Sequence, residues 1–174
     1  AKTDAKNAVN QAADAKKDAI EKDPNLTREE KDAAKAKVDA EAKKAKEAID
    51  AATSNSDVTA KQNEGTKAIN DVPQTPTAKT DAKNAVDQAA TDKKNAIEND
   101  PALTREEKDA AKAKVDAEAT KAKNAIDAAT SNEDVTAKQI EGTKAINDVP
   151  QTPTAKTDAK NAVDQAATDK KSAI

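Results

Sequence analysis

The sequence predicts an all-α chain of tandem, slim three-helix-bundle repeats joined end to end into an elongated rod. Three observations predict it: a long internal repeat, helix start and stop signals at matching places in each copy, and Val and Ile at helical spacing in Ala-rich segments. The opening Ala1-Lys2-Thr3-Asp4-Ala5-Lys6-Asn7-Ala8-Val9 returns from Ala78 and again from Ala155, a period of 77 residues. Residues 1–77 and 78–154 differ at ten positions, among them Asn10 against Asp87, Asn25 against Ala102, Glu47 against Asn124 and Asn63 against Ile140. The expected organisation is helical repeat 1 over 1–77, helical repeat 2 over 78–154, and the first helix of a third, truncated repeat over 155–174, a slice of a longer array.

Within one repeat, a first helix is expected from about Asp4 to Glu21, with Thr3 as its N-cap and Asp23-Pro24 ending it, because the residue before proline is pushed out of the α region. A second helix starts at Thr27. There Thr27-Arg28-Glu29-Glu30 reads as a capping box, in which the Thr side chain bonds the Glu30 amide and Glu30 reaches back. This helix runs to about Ala52. Thr53-Ser54-Asn55-Ser56-Asp57 supplies a turn and the next N-cap, and a third helix follows from about Val58 to Asp71. Pro73 and Pro76 interrupt the helix and make a short, stiff linker to the next copy. Whether the bundle joins the first, second and third helices of one copy, or the second and third with the first of the next, is open at this level.

Val9 and Ile20, Val38 and Ile49, and Val58 and Ile69 each stand eleven residues apart, close to three helical turns, so each helix carries one Val and one Ile on a single face. Ala fills the rest of that face. Val58, Gln62, Gly65, Ile69 and Val72 step by four and three along the third helix, a seam for packing on a neighbour. Ile140, in place of Asn63, marks a position where the second repeat is expected to pack better. Lys35, Asp39, Lys43 and Glu47 alternate in sign on the opposite, solvated face.

Composition excludes most chemistry. The 174 residues contain no His, Cys, Met, Phe, Tyr or Trp, while 36% are charged. No imidazole base, Ser-His-Asp or Cys-His system, or thiolate metal site can be built. The 30 basic and 33 acidic residues are interleaved and give a net charge of −3, without the basic excess or stacking aromatics of a nucleic-acid binder. No apolar run spans a bilayer, so no membrane insertion is expected in this segment. The chain is expected to be no enzyme, with no catalytic, cofactor-binding or metal-binding residues and no cofactor.

Four features invite a site and each has a plainer reading. Glu29-Glu30 and Glu106-Glu107 are paired carboxylates, but neighbours on a helix point about 100° apart, and capping with helix-dipole stabilisation accounts for them. Gly65 and Gly142 stand alone, with no phosphate-cradling loop, and point to close helix approach. Asn25-Leu26-Thr27 matches a glycosylation acceptor, yet Ala102 breaks it in the second copy. Lys31, Lys35, Lys37, Lys43, Lys44 and Lys46 are offset by Asp32, Asp39, Glu41 and Glu47 and read as a solvated face rather than a polyanion site.

The blocks AKTDAKNAV, DPNLTREEKDAAKAKV, AIDAATSNSDV and GTKAINDV, recurring with this period, resemble the tandem helical repeats of unknown function in Gram-positive cell-wall-anchored surface proteins of the staphylococcal SasC/FmtB type. The resemblance covers the whole chain, with Leu26 to Lys31, Val38, Ile49, Val58, Gly65 and Ala68-Ile69 as anchors. It implies an extracellular location on the bacterial cell wall, anchored through other parts of the parent protein. It also implies a stalk that projects an adhesive region, with roles in adhesion or biofilm formation. Neighbouring repeats are the expected partners of a monomeric chain, and any host or cell-wall ligand is unknown. Two other classes compete with the structural spacer. One is a host-protein-binding three-helix module, which lacks exposed aromatic anchors here. The other is a hydrophilic stress-protection protein, which the low aliphatic content favours and the capping signals oppose.

Overall fold

Each Ala-, Lys- and Glu-rich segment is a helix in the computed structural model, which describes residues 1–173; Ile174, the last residue of the expected third copy, lies outside the described residues. The helices are α1 (Lys2–Glu21), α2 (Arg28–Ala51), α3 (Asn55–Asn70), α4 (Thr77–Glu98), α5 (Arg105–Ala128), α6 (Asn132–Asn147) and α7 (Thr154–Ser172), with no strand among the described residues.

The second helix starts as its sequence dictates. Thr27 is the N-cap of α2, its hydroxyl accepts from the Glu30 amide, and Glu30 accepts from the Thr27 amide, closing the capping box. The other two starts differ from the sequence expectation. α1 begins at Lys2, not Asp4, with Ala1 at the cap and no side-chain bond, so Thr3 is inside the helix rather than at its boundary. α3 begins at Asn55, not Val58. Ser54 alone takes the cap by accepting from the Asp57 amide at 3.0 Å, which leaves residues 55–57 free to form the first turn. The linker Pro73–Pro76 carries no helix, as proline's missing N–H and fixed φ require.

By internal contacts the chain divides into two units, one of Ala1–Thr80 with Ala129–Val135, the other of Asp81–Ala128 with the residues from Thr136 on. In the first unit α1, α2 and α3 pack on one another pairwise. Val9, Ile20, Val38, Ile49 and Ile69 are fully buried there, with Leu26, Val58 and Val72 nearly so, and Ala5, Ala13, Ala34, Ala42 and Ala45 fill the space between. In this unit the first, second and third helices of one sequence copy are therefore the ones that pack together. The Val and Ile layers meet because three turns of helix separate them on every element.

In the second unit Val86, Ile97, Val115, Ile126 and Ile146 are fully buried in the same pattern. Ile140 corrects the sequence reading: it is 60% exposed on α6 and adds nothing to the core. The Asn63 it replaces is exposed in the first unit as well, so the position faces solvent in either copy. On α7, Val163 is 68% exposed, whereas Val9 and Val86 at the equivalent positions are buried.

Both glycines sit where two helices come closest. A Cβ built on Gly65 would lie 2.3 Å from Ala45 Cβ on α2, and one on Gly142 would lie 2.3 Å from Ala122 Cβ on α5. The seam on α3 needs the missing side chain because no side chain fits against Ala45 at that separation.

Candidate functional site: the capped end of α2 and its copy

The most organised polar groups lie at the N-terminus of α2. One oxygen of Glu30 closes the capping box by accepting from the Thr27 amide at 3.0 Å. Its other oxygen accepts from the Thr77 hydroxyl at 2.8 Å and the Ala78 amide at 2.9 Å. One carboxylate thus caps its own helix and holds the first turn of α4, whose preceding residue, Pro76, has neither an N–H nor a hydrogen-bonding side chain. The Lys79 ammonium donates to the Pro24 carbonyl oxygen at 2.9 Å, with its stem buried, as a long amphipathic side chain allows.

The second unit repeats these bonds. Glu107 accepts from the Thr104 amide at 2.9 Å, from the Thr154 hydroxyl at 2.8 Å and from the Ala155 amide at 2.8 Å. Lys156 donates to the Pro101 carbonyl oxygen at 2.7 Å. Hydrogen bonds to the ionised form favour it. Those from Ala155, Thr104 and Thr154 hold the Glu107 carboxyl down at about 2. At Glu30 burial pushes the carboxyl up, and the bonds from Ala78, Thr27 and Thr77 outweigh it, leaving it below the ordinary carboxylate value.

The two members of the Glu29-Glu30 pair have different partners, as helix geometry requires. Glu29 accepts from the Asn132 amide at 2.9 Å, a contact within the first unit, and that bond holds its carboxyl below the ordinary value. The capping reading of Glu30 and Glu107 is what the geometry shows. The bonds to Thr77, Ala78 and Asn132 were beyond sequence reading, because they join residues about fifty to a hundred positions apart with no local signature.

The Lys-rich face is spread over several partners. Lys31 donates to the Glu21 carbonyl oxygen at 2.7 Å, Lys35 pairs with the Glu21 carboxylate, and Lys46 bonds Asn10 at 3.2 Å. Lys43 reaches Glu47 at 3.9 Å, and Lys44 reaches Glu41 at 3.0 Å. Asp39 pairs with Lys17 of α1 at 3.0 Å rather than with its own-helix neighbours. The Lys31, Lys35, Lys46 and Lys17 contacts lie at solvated edges between helices, the Lys43 and Lys44 pairs lie along α2 itself, and together they intersperse acidic groups with the lysines of this face. In Asn25-Leu26-Thr27 the Thr hydroxyl is fully buried and engaged in the cap.

Open grooves are small. One of 260 Å³ lies between Leu26, Ala33, Ala34 and the linker residues Pro73 to Thr75, and one of 290 Å³ runs beside Gly65 between α2 and α3. The second is lined by Ala methyls and Lys and Glu side chains, while the first is walled mostly by Leu26 and residues of the linker, and neither has the enclosed form of a small-molecule site. Among the described residues no group of three or more acidic side chains could hold a metal ion, and no helix is long and apolar enough to cross a membrane.

An all-α architecture that returns the same caps, core layers and linker bonds one period later defines a helical-repeat protein. The chain belongs to the Domain of Unknown Function (DUF1542) family, which matches residues 1–77 and again 78–154. Similar proteins in Staphylococcus aureus include the extracellular matrix-binding protein EbhA of strain Newman and the extracellular matrix-binding protein ebh of strain NCTC 8325 / PS 47. Each is 30% identical over 161 residues, 92% of this chain. The chain spans only 5% of the first and 2% of the second. No solved structure matches it.

Proposed function

We propose that the chain is a set of spacer repeats from a bacterial surface protein, giving length to a stalk that holds a ligand-binding region away from the cell wall. The building block in this reading is the 77-residue unit, with residues 155–174 opening a further copy. The observation that carries it is the return of one linker bond set: Glu30 with Thr77 and Ala78, then Glu107 with Thr154 and Ala155. A spacer needs its joints fixed, and these bonds tie each linker to the body of the repeat that precedes it. Length then scales with copy number, as in other arrays whose units touch only their neighbours. The reading includes a monomeric chain without enzymatic activity. Chains of two, three and four copies test it by hydrodynamic length. Equal increments per copy are expected, and a length that stops growing refutes the spacer.

A second reading, direct binding of a matrix or plasma protein, draws on the names of the relatives and on the exposed Ile140 of α6. Repetition would supply avidity. Saturable binding of this chain to immobilised matrix proteins, lost on Ile140→Asn, would rank it first. No binding leaves the spacer.

A further inference from the structure

Two helix N-termini from successive sequence repeats cap each other. The opening amides of a helix have no acceptor inside it. In α2 the first of them, Arg28 N–H, donates to the Thr130 carbonyl oxygen at 2.8 Å. In α6 the first, Asn132 N–H, donates to a carboxylate oxygen of Glu29 at 2.9 Å. The Thr27 hydroxyl, which accepts from the Glu30 amide, donates to the Asn132 side-chain oxygen at 2.7 Å. Residues 129–135 cluster with the first unit, so this clasp lies within that unit although its two halves come from different copies of the sequence.

The chain holds each half a second time. Thr104, Arg105 and Glu106 repeat Thr27, Arg28 and Glu29, while Thr53, Ser54 and Asn55 repeat Thr130, Ser131 and Asn132. Locally the copies are alike: the Thr104–Glu107 capping box is closed, and Ser54 caps α3 as Ser131 caps α6 by accepting from the Asp134 amide. Yet among the described residues these second halves make no clasp bond. Thr27 is fully buried, Thr104 only half-buried, and Glu106, Thr53 and Asn55 are exposed.

We propose that the Thr104-Arg105-Glu106 end of α5 is a docking surface for the Thr-Ser-Asn turn of the next copy of this repeat in an array. The Thr53-Ser54-Asn55 turn is the matching surface for the preceding copy. An occupant must offer a carbonyl to Arg105 N–H, an N–H to the Glu106 carboxylate and an acceptor to the Thr104 hydroxyl. The Thr-Ser-Asn turn supplies all three, as it does at Thr27. An anion, the usual guest of a helix N-terminus, is repelled by Glu106 and Glu107. The clasp rests on the spacer reading for its array, but not on the array's length, so the two can fail separately.

Amide hydrogen exchange followed by NMR tests it, with the two copies as mutual controls. In the present chain Arg28 and Asn132 should exchange at least about fivefold more slowly than Arg105 and Asn55, the effect of one net hydrogen bond on a local opening. Glu29→Gln should release Asn132 toward the Asn55 rate, and Glu106→Gln should change neither. In a chain lengthened by another copy of residues 78–154, Arg105 should slow to the Arg28 rate. Equal rates at Arg28 and Arg105 in the present chain, or an Arg105 that stays fast in the longer one, overturn the proposal. Slowing of Arg105 in the present chain only as its concentration rises would assign the surface to separate chains and overturn the in-array docking. Loss of the clasp with unchanged length increments would leave the spacer reading standing.

Discussion

The Glu107 carboxylate accepts the Ala155 amide N–H at 2.8 Å, so a residue 48 positions earlier caps the helix that begins at Thr154. Glu30 does the same for Ala78. A glutamate whose local task is a capping box therefore also fixes the chain's exit from its repeat.

This bond makes the fold acid-sensitive. The Glu107 carboxyl is held at about 2 against an ordinary 4.5. A carboxyl depressed on folding contributes stability that is complete above the ordinary value and is lost as the pH falls from there through about 2. Urea midpoints of the parent chain and Glu107→Gln should differ near neutral pH and converge as the pH drops through that window. A constant gap would detach the effect from ionisation.

Gly65→Ala should destabilise. The added Cβ meets Ala45 Cβ at 2.3 Å, so α2 and α3 must separate. Overpacking of this kind costs about 1–3 kcal/mol, offset in part by a helix-propensity gain of about 1 kcal/mol. Adding Ala45→Gly should recover part of the loss in a double-mutant cycle. A more stable Gly65→Ala would mean the helices are farther apart than described.

Two isoleucines of α6 should answer oppositely. Ile146 is fully buried, and Ile146→Ala should cost about 2–5 kcal/mol. Ile140 is 60% exposed, and Ile140→Asn, the residue of the first repeat, should stay within about 0.5 kcal/mol. Thermal melts of the two variants decide this directly.

The inter-helix ion pairs should matter little. Lys17–Asp39 at 3.0 Å and its copy Lys94–Asp116 at 2.7 Å lie at the solvated edges, with their Asp members about 60% exposed. Asp39→Asn should shift stability by less than about 1 kcal/mol, and by less still at high salt. A larger loss in a denaturant titration would show a stronger coupling of α1 to α2.

What could be read in the sequence was what is local or periodic. The Thr27–Glu30 capping box spans one turn, and the Val and Ile spacing fixes the buried face of each helix without knowledge of its partners. The ends of α1 and α3 were less legible. Thr3 and the five polar residues before Val58 are all capable caps, and only the folded chain selects Ser54 and leaves Thr3 inside a helix. Ile140 misled because its size suggested burial, whereas its place on α6 decides exposure. Least legible were the acceptors for the amides that open α2, α4, α6 and α7. Thr130, Glu30, Glu29 and Glu107 are remote in sequence from the amides they accept, and no local feature, the capping boxes of Glu30 and Glu107 included, points to those partners.

Small-angle X-ray scattering of this chain in dilute buffer tests the spacer claim most directly. Folded repeats that extend one after another predict a radius of gyration near ~30 Å with a rod-like profile, from about 100 Å of end-to-end helical bundle. A value near ~16 Å, that of a compact globule of this length, would contradict the spacer, and one near ~44 Å would show an unfolded chain.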